Sequence, residues 1–213
     1  MAHRMNLKTV LMIVFVISCL PSLSLANQPI DVLKKSIDQS IRILNDPIYK
    51  AAGQKALQRQ KLWEILKQLI DFKEFSRRVL AGNWRLFTPQ QQKEFVELFG
   101  NFVNIYYLSK LQDQYDNETL TYVDQNLISD SKAVVRVEVF WKSRNVPIEI
   151  KMIKHKGTWR VYDLTALGIS AISFYRSQFR VVLSENSPAD VLAILRDKIR
   201  ESEEKVRRQY SRK

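Results

Sequence analysis

Residues 133–164 read AVVRVEVFWKSRNVPIEIKMIKHKGTWRVYDL, and their period is two. Over 133–141, Val135, Val137, Val139 and Trp141 fall on one face, with Val134, Arg136, Glu138 and Phe140 on the other. Over 146–155, Ile148, Ile150 and Met152 stand opposite Glu149, Lys151 and Ile153. Alternation of this kind is the mark of strands with one buried face. Lys156-Gly157 makes a hairpin turn, and 158–164 returns as a further strand. Just upstream, 119–128 follows Asp116-Asn117 and leaves through Ser129-Asp130-Ser131. Four consecutive strands with short connections predict a twisted antiparallel sheet.

Outside this block the period is that of helices. Ile30, Leu33, Ile37, Ile41 and Leu44 share one helix face, which Asn45-Asp46-Pro47 ends. A second helix over 54–70 carries Leu62, Ile65, Leu66 and Leu69. Asp71 caps a third, with Phe72, Phe75, Val79 and Leu80, and Gly82 stops it. Thr88-Pro89 is a capping hydroxyl followed by proline at the first helical position. The helix it opens reaches about Gln112, with a stripe of Phe95, Leu98, Phe99, Phe102, Ile105 and Tyr106, widened by Val96, Val103 and Tyr107. After Gly168, 170–183 is helical with Ile172, Tyr175, Phe179 and Val182 on one side. Ser187-Pro188 opens the last helix, which loses its apolar face at Arg200, and 201–213 is a charged tail, helical and solvated or disordered. Helices, then a meander, then helices give the class α+β.

Composition narrows the function. The 213 residues are 46% hydrophobic and 26% charged, as in globular chains, with a formal charge of +12. Two histidines and one cysteine exclude an internal disulfide framework and a Cys/His zinc cluster. Residues 1–26 have the form of an export signal. Arg4 and Lys8 precede the apolar run TVLMIVFVISCL, and Ser24-Leu25-Ala26 places small residues at −3 and −1 of a cleavage after Ala26. A competing reading takes Val16-Ile17-Ser18-Cys19 as a lipobox with Cys19 lipidated; the apolar stretch continuing to Leu25 argues against it. Cleavage after Ala26 removes Arg4, Lys8 and no carboxylate, leaving +10. In an exported protein that charge suits an anionic membrane surface or an acidic partner better than nucleic acid.

Catalytic patterns are scarce. His155 is the one histidine after residue 26 and sits beside a hairpin turn. No Gly-x-Ser-x-Gly, phosphate loop or dinucleotide fingerprint is present, and there are five glycines in all. A carboxylate enzyme needs a buried Asp with a raised pKa. Asp163 with Tyr162 or Tyr175 is the candidate, although Tyr162 and Asp163 alternate and only one is expected to face inward. What the chain does offer is large apolar side chains on several elements that could line one space. Periodicity does not distinguish a filled core from a lined cavity.

Two blocks carry a family resemblance. Asp71-Phe72-x-x-Phe75-Ser76, Leu80-x-Gly82-x-Trp84-Arg85-x-x-Thr88-x-x-Gln91 and Phe95-x-x-x-Phe99 form the first. Gly157-x-Trp159-x-Val161-Tyr162-Asp163, Gly168-Ile169-Ser170 and Tyr175-Arg176-Ser177-Gln178-Phe179 form the second. Together they resemble the MlaC-type periplasmic phospholipid-binding proteins, also called the toluene-tolerance family, over roughly residues 30–200. The pattern departs from the family at Leu167, where members often carry an acidic residue, and at Phe174, where they often carry asparagine. The resemblance implies an NTF2-like sheet with helices enclosing a deep apolar pocket in a domain spanning 27–200. It implies a carrier without catalysis, working as a monomer between the outer membrane and an inner-membrane ABC transporter. The implied partners are phospholipid as the bound ligand in place of any cofactor, the membrane surface, an MCE-type transporter complex and an outer-membrane lipoprotein.

The pocket candidates follow from the apolar faces together with this resemblance. They are Phe75 and Val79; Phe99, Phe102, Val103 and Tyr106; Val137, Val139, Ile148, Ile150 and Val161; and Ile169, Ile172, Tyr175 and Phe179. Arg176 is expected near the pocket mouth or bracing a helix. The rival readings are an NTF2-like cavity enzyme using Asp163 and a tyrosine, and a basic protein-binding adaptor with a solid core.

Overall fold

The computed structural model describes residues 28–211; residues 1–26, expected to be an export signal, lie outside the described residues together with Cys19. The order is α1 (Pro29–Asn45), α2 (Lys55–Leu69), α3 (Phe72–Leu80), α4 (Pro89–Phe102), a π turn (Val103–Tyr107) and α5 (Leu108–Gln114). The strands are β1 (Thr119–Ser129), β2 (Lys132–Trp141), β3 (Arg144–His155), β4 (Thr158–Ala166) and β5 (Ile169–Ser170). α6 (Ala171–Glu185) and α7 (Pro188–Ser211) close the chain. The class is α+β. The strands form one antiparallel sheet in the order β1-β2-β3-β4-β5. The expected sheet of about four strands gains a two-residue fifth, because the chain doubles back through Leu167-Gly168, both at positive φ, before α6 begins.

Local signals set the helix ends. Thr88 Oγ1 accepts from the Gln91 amide at 3.3 Å while Gln91 Oε1 accepts from the Thr88 amide at 3.0 Å, a reciprocal cap ahead of Pro89. Ser187 and Asp190 form the same device before α7. Asp71 Oδ1 accepts from the Glu74 amide at 2.9 Å and starts α3. α7 continues as helix through the charged residues beyond Arg200 as far as Ser211.

One core joins α1 and the end of α2 to the sheet, around Leu33, Leu69, Val135, Val137, Met152 and Trp159. A second joins helices to one another, around Leu80, Phe95, Phe99, Val191 and Leu195. Val79, Tyr162 and Ile172 link α3 and α6 to β4. The chain entering α3 also meets β4 directly, since the Asp71 amide donates to the Val161 carbonyl at 2.8 Å.

Two one-residue irregularities depart from the sequence reading. The helix expected to run unbroken to Gln112 contains the π turn Val103–Tyr107. The extra residue rotates the helical turns beyond it, so the face that begins at Phe99 and Val103 is continued by Leu108 and Leu111. In β4, Lys151 pairs with Asp163 and Met152 with Val161, which leaves Tyr162 as an inserted residue. The expectation that only one of Tyr162 and Asp163 faces inward is therefore incorrect. The bulge breaks the alternation, and both are buried.

Candidate functional site

Between β4, β5 and the helices lies a cavity of about 680 Å³. Its wall is assembled from Leu66 of α2, Ile70, Phe72 and Phe75 of α3, Phe99 of α4, and Val103 and Tyr107 of the π turn. Leu108 and Leu111 of α5, Val161, Asp163, Leu164 and Ala166 of β4, Ile169 of β5, and Ala171, Phe174 and Tyr175 of α6 complete it. This is within the usual size of small-molecule sites, but almost all of its lining is hydrocarbon. A neighbouring hollow of about 400 Å³ lies between α1, α2, α5 and the sheet, and shares Leu66, Leu108 and Leu111 with the first. A third hollow, about 830 Å³, is a groove along α1 and α2 lined by charges of both signs, including Lys35, Arg42, Lys61, Asp31, Asp46 and Glu64. Its polarity does not suit an apolar ligand.

Aromatic contacts stiffen the 680 Å³ cavity. Phe75 stacks on Phe99 at 5.4 Å between centroids, and Tyr175 meets Phe99 edge-on at 5.1 Å. The Tyr107 and Tyr175 hydroxyls are hydrogen-bonded across the wall. Burial, and then that bond, push the Tyr175 phenol above the ordinary tyrosine range, so it stays neutral.

Asp163 borders the cavity, but its carboxylate is already engaged. It accepts from Ser170 Oγ at 3.0 and 2.8 Å, from the Ile172 amide at 3.1 Å and from Lys151 Nζ at 3.1 Å. Ser170 is the N-cap of α6, so the carboxylate sits at a helix N-terminus, where the exposed amides favour negative charge. These contacts make Asp163 the anchor of α6 on β4. His155 is exposed at the end of β3. Among the described residues no group of His, Cys, Asp and Glu could hold a metal ion.

The structure gathers Phe75, Phe99, Val103, Val161, Ile169 and Tyr175 on this cavity. Val139 lines the neighbouring hollow. Phe102 and Phe179 line a small cleft of about 130 Å³ beside Phe99 and Tyr175. Val79 and Ile172 are packed in the core that joins α3, α6 and β4, and Val137, Ile148 and Ile150 belong to the sheet core. Tyr106 stacks on Phe102 and carries Lys110 over its ring at 4.1 Å. Arg176 braces α6 against α3 through the Arg78 carbonyl. Sequence reasoning passed over Leu66, Leu108, Leu111, Leu164 and Phe174 as wall residues. The helical stripe already held Leu66, and the π turn hid Leu108 and Leu111.

Fold and cavity together define a small α+β protein built around an apolar space, with its one lining carboxylate tied into the scaffold. The chain belongs to the MlaC protein family, whose model matches residues 34–197. Among solved structures it is similar to the phospholipid-binding protein of Ralstonia solanacearum, solved in complex with a phospholipid. The TM-score is 0.68 at 22% identity, over 80% of this chain and 96% of that one, which establishes the shared fold. No curated protein gives a significant match.

Proposed function

We propose that the protein is a periplasmic carrier that encloses the acyl chains of a phospholipid and moves the lipid between membranes. The observation that carries this reading is the hydrocarbon-lined 680 Å³ cavity, drawn from helices and strands alike. A diacyl lipid has roughly 30 methylenes, and at about 0.8 kcal/mol each their full exposure to water costs on the order of 25 kcal/mol. A carrier crossing an aqueous space must therefore cover the chains, while the headgroup can remain wet. The adjoining 400 Å³ hollow, behind the shared leucines, offers room for further hydrocarbon if those side chains shift.

Membership of the MlaC family and the phospholipid-bound relative of the same fold support phospholipid as the ligand. The same membership supports shuttling between the outer membrane and an inner-membrane MCE-type ABC transporter, with an outer-membrane lipoprotein as the second partner. The signal-like pattern of residues 1–26 and membership of the MlaC family support a periplasmic location. Among the described residues no helix is long and apolar enough to cross a membrane. A binding role without catalysis fits the saturated hydrogen bonding of Asp163.

The test is transfer of a fluorescent phospholipid from donor to acceptor vesicles across a membrane that passes protein but not vesicles. The protein should raise the transfer rate in proportion to its concentration. No transfer above the protein-free background contradicts the carrier role.

A further inference from the structure

The side of the cavity that opens to solvent is rimmed by large apolar side chains. Leu164 is 44% exposed, Ile169 60% and Phe174 47%, although all three also line the cavity. Between Leu164 and Ile169 the chain turns through Leu167-Gly168, with φ of +52° and +77°. A two-residue turn with both φ positive selects Asn-Gly, because most side chains are strained there. Here a leucine occupies the strained position and is 68% exposed. It belongs to none of the hydrophobic clusters of the fold, so neither local geometry nor core packing accounts for it.

The same end of the sheet carries a second set of such residues. In an antiparallel meander the β2–β3 and β4–β5 turns lie at one end and the β1–β2 and β3–β4 turns at the other. At the β2–β3 turn Phe140 and Trp141 are exposed, and Lys142 Nζ sits 4.6 Å from the Trp141 ring centroid. Arg144 follows on β3. Exposed tryptophan beside cations is the composition that favours a membrane–water boundary. On the other flank, residues 164–184 carry Arg176 and Arg180 and no carboxylate. The rim is thus apolar at its tip, and the cations around it, Lys142, Arg144, Arg176 and Arg180, outnumber the carboxylates at the same end of the sheet, Asp116, Glu118 and Glu138, so its charge complements a bilayer that contains anionic lipid.

We propose that this rim, with Leu167 at its tip, inserts into the surface of an anionic bilayer and brings the cavity mouth against the acyl chains it is to take up. The inference rests on the carrier reading and adds the surface through which loading occurs. Contact of the rim with hydrocarbon lets a chain pass from bilayer to cavity without crossing water.

The test uses Leu167→Asn, since Leu167 borders the mouth without lining the cavity and Asn is suited to positive φ. Flotation with vesicles of phosphatidylethanolamine and phosphatidylglycerol, and the rate of phospholipid uptake from them, should both fall about tenfold for the loss of one inserted leucine. The melting temperature and the amount of lipid held at equilibrium should stay the same or rise. A second readout labels Leu167→Cys, in a chain that starts after Ala26 and so lacks Cys19, with an environment-sensitive dye. Its emission should shift to the blue on adding vesicles, and the same dye at Ser131→Cys, in the β1–β2 turn at the opposite end, should not shift. Unchanged flotation and uptake for Leu167→Asn overturn the proposal. So does an effect seen only when a membrane protein is added, which would assign the rim to a protein partner. If the unaltered protein neither holds nor takes up lipid, the carrier reading itself falls.

Discussion

Arg176 on α6 donates from Nε and Nη2 to the carbonyl oxygen of Arg78 on α3, at 3.1 and 2.8 Å. The last carbonyls of a helix have no partner within it and carry partial negative charge. A guanidinium is well suited to them because it donates in a fixed fork and remains charged. The contact spans 98 residues and fixes the two helices whose Phe75 and Tyr175 face each other across the cavity wall.

Arg176→Ala should therefore cost about 1 kcal/mol, the usual worth of such a bond at an exposed position, and lower the melting temperature by roughly 2–4 °C. Arg176→Lys should recover only part of the loss, because an ammonium cannot donate in the same fork. Thermal unfolding followed by circular dichroism checks both. An Arg176→Ala melting curve that overlays the unaltered one removes the bracing role.

Asp163 separates the carrier from a cavity enzyme. Asp163→Ala leaves the Ile172 amide and the Lys151 ammonium without their acceptor and should destabilise by about 1–3 kcal/mol. Asp163→Asn keeps an acceptor oxygen and should unfold between the two. Neither should abolish lipid binding by the folded protein. Urea titration measures the first effect and lipid analysis of the purified variants the second. Loss of bound lipid in a fully folded Asp163→Asn would contradict a purely structural role.

The cavity can be filled instead of charged. Ala171 lines it at the first position of α6. Ala171→Phe should reduce lipid stoichiometry well below one while changing stability by less than the ~3–5 kcal/mol expected of Phe99→Ala, which empties a buried ring position. Full stoichiometry in the Ala171→Phe protein would place the ligand elsewhere.

Acid should weaken the α3 region through Glu74. Burial acts to raise its carboxyl, but hydrogen bonds and charge from Arg77 and Arg78 outweigh this and hold it below the ordinary carboxylate range. Arg78 Nε lies 2.7 Å from Oε1, and Arg77 donates to both oxygens at 2.9 and 3.0 Å. With its pKa lowered by folding, Glu74 contributes stability that is fully present above the unfolded value of about 4.3 and lost as pH falls through the folded value. The unfolding free energy of Glu74→Gln should fall less steeply than that of the unaltered protein below about pH 4. Parallel acid limbs in the two urea–pH series would contradict the coupling.

Much of this architecture was open to sequence reading because it rests on local chemistry. The alternation in 133–155, the Lys156-Gly157 turn and the caps at Thr88 and Ser187 each act over a few residues, and each stands where the pattern put it. The two irregularities that shape the site do not leave such a trace. An inserted residue at Tyr162 and a π turn at Val103–Tyr107 are fixed by what packs across from them, not by their own residue types. For the same reason the apolar pattern could not separate Val161, on the cavity wall, from Val137, sealed in the sheet core. Both are valines facing inward, and only the distance to the next element decides which borders an empty space. Exposed Leu167 and Ile169 also lie outside what periodicity reports, since a two-residue turn and a two-residue strand are too short to show a period.

Occupancy of the cavity by a phospholipid can be read from native mass spectrometry of protein purified from the periplasm without detergent. An occupied cavity gives a major species heavier than the polypeptide by the mass of one phospholipid, released as that lipid on collisional activation. In Ala171→Phe this species should be depleted. A protein recovered only at its bare polypeptide mass, under conditions that preserve noncovalent complexes, would contradict that occupancy.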